Sequence, residues 1–276
     1  MRTFPCPPRN THANLVIALA LTSLLALPAT GARAATDHRL DHDVVPTFES
    51  LRLQLDPALA DYSGSVHIDL TVAAATDSML LYAKDLTVRR VTLRGATGEV
   101  GVKHEGRSNG RLLVRSASPL APGAYGLDIE FDNDFDTRAN ALYRLQTGGD
   151  WYCFTQFEAV AAREAFPCWD EPEFKIPFQV TVTVPEKDEA VSNTPVETSL
   201  VSGGHRTFTF KRTPPLPSYL LAIAAGPLEF VPIKGMSIPG RVVTVKGATR
   251  LATEAARLAP PIIAALEKYF GRPYPY

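Results

Sequence analysis

Cysteine is scarce in this chain, with three residues among 276. Cys153 and Cys168 are fifteen positions apart, and neither has a His or Cys neighbour at the spacing of a zinc ligand pair. The spacing leaves a disulfide or two buried free thiols open, and free thiols are the default because the sequence does not show that the Cβ atoms meet. We expect no cysteine-based metal site.

Histidine clusters are also absent. Of six histidines, only His38 and His42 have the four-residue spacing that puts two imidazoles on one helix face. In this segment, HRLDH, Arg39 stands where a catalytic base would be needed, and no third ligand is in view. We interpret the segment as a solvated N-terminal tail and not as a metal site.

The longest apolar run is too short to span a membrane. Leu15 to Leu27 contains thirteen residues, whereas a spanning helix needs about 20. Arg2 and Arg9 precede the run, and small residues follow it up to Ala34. This pattern predicts a signal peptide over 1–34, export to a periplasmic or extracellular space, and no membrane association after cleavage, with a single membrane anchor as the alternative.

The chain has no excess of basic charge. The whole sequence has 28 basic and 29 acidic residues, and removal of 1–34 takes away three arginines and no acid, which leaves 25 basic against 29 acidic. A nucleic-acid-binding face needs clustered basic residues. We therefore expect no nucleic acid partner.

Alternating apolar and polar residues are what the chain does have, from Phe48 to about Val184. This period of two predicts strands, and the turn signals between them favour an antiparallel sandwich or saddle of packed sheets. The clearest predicted strands are Val66–Val72, Arg111–Val114, Tyr125–Phe131, Phe178–Val184, Arg206–Phe210 and Ser218–Ala225.

The pattern changes after Gly226, where two short predicted strands precede an amphipathic helix over 249–270. Thr249 is a candidate N-cap, and Gly271 suits the left-handed residue that ends a helix. Pro260 and Pro261 should kink the helix or restart it midway. Because nothing follows to cover its apolar stripe, we interpret it as the beginning of a second domain.

A glutamine and a glutamate stand two residues apart in the segment TQFEA. If Phe154 to Glu158 is extended, Gln156 and Glu158 project from one face and Phe157 points into the core. A carboxylate beside an amide oxygen suits a protonated amine. From spacing alone, an exposed polar strand face is the favoured interpretation.

The longer segment TQFEAVAAREAFPCWDEPEFKIPF resembles the signature of the amino-terminal domain of the M1 zinc aminopeptidases, in which TQ-x-E is followed by Ala-Arg, FPC-x-DEP and Lys-x-x-F. The segments LRLQLDPALADYSGSVHIDLTV, PSYLLAIAAG and EKYFGRPYPY are also similar to that family, in the same order. The resemblance covers nearly the whole chain after residue 34.

The resemblance implies a mainly β, saddle-like N-terminal domain over 35–226 and the first strands and helix of a truncated thermolysin-like catalytic domain over 227–276. It implies that Gln156 and Glu158 hold the free N-terminal amine of a peptide substrate. A structural role is expected for the other motif residues. These are Arg163, Cys168, Asp170, Glu171, Pro172 and Lys175.

The family's catalytic motifs are missing from this sequence: H-E-x-x-H, the downstream zinc-binding glutamate, the GAMEN segment and the tyrosine that steadies the oxyanion. We therefore expect no catalytic residue and no cofactor in this chain, zinc in the full-length family enzyme, and no activity without the missing catalytic domain in cis or in trans.

One alternative is a self-standing, non-catalytic β-domain that binds peptides or a partner protein. An unrelated immunoglobulin-like adhesion or carbohydrate module explains the strands but not the joint occurrence of TQFE, FPCWDEP and PYPY.

Overall fold

The computed structural model describes residues 39–274, and the predicted signal peptide and His38 lie outside them. Strands form where apolar side chains recur at every second position, as in β2, where Val66, Ile68 and Leu70 are buried. The strands are β1 Val44–Gln54, β2 Asp61–Val72, β3 Thr76–Tyr82, β4 Thr87–Gly95, β5 Gly98–Val100, β6 Val102–Arg107, β7 Arg111–Leu120, β8 Gly123–Asp134, β9 Ala141–Thr147, β10 Asp150–Gln156, β11 Phe178–Pro185, β12 Glu189–Ser192, β13 Val196–Ser202, β14 His205–Phe210, β15 Ile223–Gly226, β16 Leu228–Ile233 and β17 Gly240–Val245.

The largest sheet has eight strands in the order β13-β14-β11-β1-β2-β8-β4-β5. Within it, β1 and β11 run parallel with Leu51 opposite Val180, whereas the other paired strands of residues 39–274 are antiparallel. A four-stranded sheet (β12-β15-β10-β9), a three-stranded sheet (β3-β7-β6) and the β16–β17 hairpin complete the β structure. The predicted mainly β fold is confirmed.

One core joins the three larger sheets. Leu51 and Ile68 of the eight-stranded sheet, Leu81 of β3 and Cys153 of β10 belong to the same buried cluster. Close packing of these faces supplies most of the driving force for folding, because apolar surface leaves water.

The strand predicted over Ser218–Ala225 is wrong in its first half. Ser218–Leu220 form a 3-10 turn, and β15 begins only at Ile223. The amide of Leu221 donates to the carbonyl oxygen of Ser218 over 3.0 Å, and the amide of Ala222 donates to Oδ1 of Asn193 over 2.8 Å. Because the turn satisfies the first amide and the Asn193 side chain satisfies the second, neither amide needs a sheet partner.

The C-terminal helix, α1, runs over Thr253–Phe270 and follows a 3-10 turn at Thr249–Ala252. No side chain makes a capping hydrogen bond at the start of the 3-10 turn or at the start of α1. The predicted N-cap at Thr249 is therefore wrong. The helix also continues through both prolines instead of restarting. Its surface position lets water reach the carbonyl oxygens that lack an amide donor there. It ends at Gly271 in the left-handed conformation, as predicted, with φ of 66°.

Residues 39–42 are not a solvated tail, which corrects that prediction. Leu40 is buried, and its amide donates to Oε1 of Glu171 over 2.8 Å. His42 lies against Phe174, with ring centroids 5.5 Å apart, and its Nε2 is 3.1 Å from Oε2 of Glu173. Burial of the single apolar residue in this segment fixes it on the domain.

The described residues belong to one compact unit, so the domain boundary at 226–227 stays a prediction. Across residues 39–274, no helix combines the length and the apolar character that crossing a membrane requires.

Candidate functional site

The candidate site begins at the end of β10, in the middle of the four-stranded sheet. Gln156 is the last residue of β10 and is paired with Ala141 of β9. One residue earlier, Oγ1 of Thr155 accepts a hydrogen bond of 2.9 Å from the amide of Ile223, which begins β15. The sheet therefore ends at Gln156 and leaves its side chain exposed.

Glu158 lies just past the strand. Phe157 is buried edge-on against Phe166, with ring centroids 5.8 Å apart, while Gln156 and Glu158 on either side of it are exposed. The predicted burial pattern is present, but the extended segment is shorter than predicted, because the chain turns after Gln156. The peptide bond between Glu158 and Ala159 is cis.

A buried ion pair holds the loop that follows. Nε of Arg163 donates to Oδ2 of Asp170 over 2.7 Å, and the guanidinium lies over the ring of Tyr82 at 3.5 Å. Arg163 Nη2 donates to the carbonyl oxygen of Asp170, and Oγ of Ser218 donates to Oδ1 of the same residue. Asp170 thus connects the loop to the turn before β15.

Glu164 is a second anchor of this loop. Its Oε1 accepts from Nζ of Lys84 over 2.7 Å, and its Oε2 accepts from Nδ2 of Asn140 over 2.8 Å. Next to it, the hydroxyl of Tyr62 donates to the carbonyl oxygen of Ala165 over 2.8 Å. Neutral and charged donors from three strands or loops therefore fix the backbone that carries Glu158.

The remaining motif residues divide into a buried and an exposed group. Cys168 is a buried free thiol whose backbone pairs with Tyr82, and burial raises its pKa first, with a further contribution from Asp170. Glu171 accepts from the hydroxyl of Tyr82 over 2.9 Å. Pro172 and Lys175 are exposed, and no ion pair of Lys175 is present among residues 39–274.

Residues 45–220 match the family model for the peptidase M1 N-terminal domain. The chain belongs to the M1 peptidase family. Among its relatives, aminopeptidase M1-D of Oryza sativa subsp. japonica is 31% identical over 259 residues, covering 90% of this chain and 29% of the relative. The puromycin-sensitive aminopeptidase of Caenorhabditis elegans is 30% identical over 284 residues, covering 98% of this chain and 30% of the relative.

The chain spans less than a third of the length of these two M1 relatives. Aminopeptidase N of Acetobacter pasteurianus is 28% identical over 275 residues, covering 93% of this chain and 76% of that protein. The share covered therefore differs widely among M1 relatives.

The resemblance to the M1 family led us to expect zinc in the full-length enzyme. Within residues 39–274 of this M1 chain, no three or more His, Cys, Asp or Glu side chains are grouped closely enough to hold a metal ion. The described donors therefore do not fit a zinc site, and no reaction step through zinc follows from these residues.

Sequence reasoning missed Glu49, a buried acid next to this M1 motif. Glu49 is 0% exposed, and neither carboxyl oxygen has a hydrogen-bond partner within the described part of the chain. Burial raises its pKa well above the usual range, and the nearby charge of Asp170 raises it further. The alternating pattern of β1 could have predicted this burial, since Glu49 lies on the same inner face of the strand as Leu51 and Leu53.

Proposed function

We propose that this chain is the N-terminal recognition part of an exported M1 zinc aminopeptidase, and that Gln156 and Glu158 hold the free amine of a peptide substrate. The observation that carries the proposal is the pair of exposed side chains on either side of buried Phe157, on a loop anchored through Arg163 and Glu164. The names of the relatives, which include several aminopeptidases, support the substrate class.

The proposed recognition depends on charge. The α-amino group of a peptide has a pKa of about 7.7 to 8.0 and is largely protonated at neutral pH. Glu158 would accept a charge-assisted hydrogen bond from it, and Gln156 would offer a second acceptor. An internal amide has no charge to offer, so the carboxylate would lose its hydration without compensation, and the wrong substrate would be rejected.

In this proposal Glu158 binds and orients the substrate, and the hydrolytic chemistry belongs to a catalytic part that carries the zinc. Zinc would activate water and polarise the scissile carbonyl there. The residues of this chain would position the amine relative to that centre. We expect the chain alone to be inactive.

A binding experiment tests the recognition step. The purified chain is titrated with alanyl-alanine amide and with its N-acetyl derivative, and the amide resonances of 154–160 are followed by NMR. We expect the free amine to shift them and the acetylated peptide to leave them unchanged. Glu158→Gln should weaken binding of the free amine about tenfold or more, because a hydrogen bond to a charged group is lost.

Glu99→Gln is the matched control, since Glu99 is an exposed acid on the short strand β5. Equal binding of the free and the acetylated peptide would refute amine recognition and favour a general peptide-binding β-domain.

A second measurement tests the expected inactivity. The chain is incubated with zinc and a panel of aminoacyl anilides, and bound zinc is quantified. Turnover that a chelator abolishes would contradict the proposal that the chemistry lies outside this chain.

A further inference from the structure

A pocket of about 460 Å³ lies at the end of β10 remote from Gln156. It forms where the start of β10, at Asp150, meets the turn before β12, at Asp188, and the loop after β1, at Asp56. Trp151 lines it and is five residues, or about 16 Å of extended strand, from Gln156. We call it the acidic pocket, and it is separate from the proposed amine site.

Carboxylates outnumber cations around the acidic pocket. Its charged lining consists of Asp56, Asp150, Asp188, Glu189 and Glu229 against Lys187 and Lys246. Two of the five carboxylates are paired: Oδ2 of Asp150 lies 3.3 Å from Nζ of Lys246, and Oε1 of Glu189 lies 2.7 Å from Nη1 of Arg206. Three carboxylates remain without an ion pair among the described residues.

Two of these three accept only backbone hydrogen bonds within residues 39–274. Oδ1 of Asp56 accepts from the amide of Ala58, and Oε2 of Glu229 accepts from the amide of Gly247, each over 3.0 Å. A backbone amide satisfies a lone pair but does not cancel a full negative charge.

Two other cations lie near the acidic pocket, Arg144 and Lys187, and neither forms an ion pair with its unpaired carboxylates. Arg144 uses its guanidinium on the carbonyl oxygens of Pro57 and Ala58, at 3.3 and 3.2 Å, and lies over the ring of Trp151 at 4.5 Å. Lys187 is exposed and forms no ion pair in the described part of the chain. The pocket can therefore accept a further cation.

Asp188 is the side chain that most needs a partner. It is 4% exposed, it lines the acidic pocket, and its Oδ1 has no hydrogen-bond partner among residues 39–274. Burial raises its pKa, and the charges of Asp56 and Asp150 raise it further against the opposing effect of Lys187. A buried polar atom without a partner costs free energy, and an incoming cationic donor would remove that cost.

The walls of the acidic pocket indicate which cation fits. Pro57, Trp151, Pro227 and Leu228 provide apolar surface beside the carboxylates. A bare metal ion would leave that surface unused, and no metal-binding group of three side chains is present in residues 39–274. An ammonium group at the end of an aliphatic chain can bind the carboxylates with its charge and contact the apolar surface with its methylene groups. Its compact head also needs less room than a planar guanidinium.

We infer that the acidic pocket binds a primary ammonium group carried on an aliphatic chain, with Asp188 as the hydrogen-bond acceptor and the charges of Asp56 and Glu229 adding to the attraction. A free diamine and the lysine side chain of a peptide or protein share this chemistry. The site is independent of Gln156 and Glu158.

Calorimetric titration of the purified chain tests the inference with three probes: 1,5-diaminopentane, Nα-acetyl-lysine N-methylamide and calcium chloride. We expect saturable binding of at least one of the two amines at one site per chain. Binding of the diamine alone would identify a free polyamine as the source, and binding of the lysine derivative would identify a lysine side chain. Binding of calcium alone, or of no probe, would overturn the inference.

Asp188→Asn locates the site, because it keeps the shape of the side chain and removes its charge. The chain should fold with this change, since burial disfavours the charged form. Amine binding should weaken about tenfold or more. Asp43→Asn, at an exposed aspartate before β1, is the matched control. Unchanged amine binding by Asp188→Asn would overturn the assignment, whereas the shifts of 154–160 with alanyl-alanine amide should be the same in both variants.

Discussion

Arg163 and Asp170 form an ion pair in which Nε of the arginine lies 2.7 Å from Oδ2 of the aspartate, with side chains only 14% and 1% exposed. Its burial separates it from the surface pairs of the same domain. The pair between Arg39 and Glu173, for example, spans 3.6 Å with the arginine side chain 79% exposed.

Removal of one partner of the buried pair should be strongly destabilising. Arg163→Met leaves the charge of Asp170 buried and unpaired, which costs about 3–5 kcal/mol of unfolding free energy. Arg39→Met, in the surface pair, should cost about 1 kcal/mol or less. Urea unfolding of both variants measures the difference, and equal effects would mean that Arg163 has no special role in stability.

Glu49 should make stability depend on pH. Its pKa is raised in the folded state, above about 4.3 for an unfolded glutamate, so the folded state holds a proton that the unfolded chain releases. Its contribution is fully present below the unfolded pKa and is lost as pH rises toward the folded pKa. Each unit of elevation corresponds to about 1.4 kcal/mol of unfolding free energy.

Glu49→Gln should therefore flatten the decline of unfolding free energy between pH 5 and pH 8, as measured by urea titration. Glu99→Gln, at an exposed acid, should keep the slope of the unmodified chain. An unchanged slope in Glu49→Gln would show that Glu49 is ionised in the folded state at the lowest pH tested.

Cys153 and Cys168 should not react in the folded protein. Both thiols are free and fully buried, and burial raises the pKa of Cys153 to about 12. Since the thiolate is the reactive form, an alkylating reagent at pH 8 should modify neither residue before unfolding and both afterwards. Peptide mass mapping gives the result for each residue separately. A linked Cys153–Cys168 peptide would instead reveal a disulfide.

The helix α1 should exchange its amide protons faster than the central strands. None of its residues is buried, and the apolar side chains of Leu258, Ile262, Leu266 and Tyr269 are exposed. Local opening requires little loss of packing where few apolar contacts exist. Hydrogen exchange read by mass spectrometry compares 253–270 with β1 and β2, and equal protection would contradict the expectation.

Much of the fold could be predicted from the period of two. Alternation located β2, β7, β8 and β11 because one face of each strand is buried. Alternation could not predict that β1 pairs with β11 in parallel, since the pattern within a strand shows which face is buried but not which strand lies beside it. It also failed at Ser218–Leu220, where hydrogen bonds within the turn replace the sheet.

The candidate site was predictable in part. The exposure of Gln156 and Glu158 follows from their positions on either side of Phe157. The contact of Asp170 with Ser218 was not predictable, because 48 residues separate them in the sequence. Asp188 was missed because a single acid beside a turn gives no local sign of burial.

The parallel pairing of β1 and β11 also means that β1 is synthesised well before the strand that pairs with one of its edges. Leu51 and Val180 are adjacent in the sheet but 129 residues apart in the chain. At about 5–20 residues per second, β1 leaves the ribosome roughly 6 to 26 seconds before its neighbour. During that interval one edge of β1 has only solvent or a chaperone to occupy it, and slow codons between the two strands would prolong this exposure.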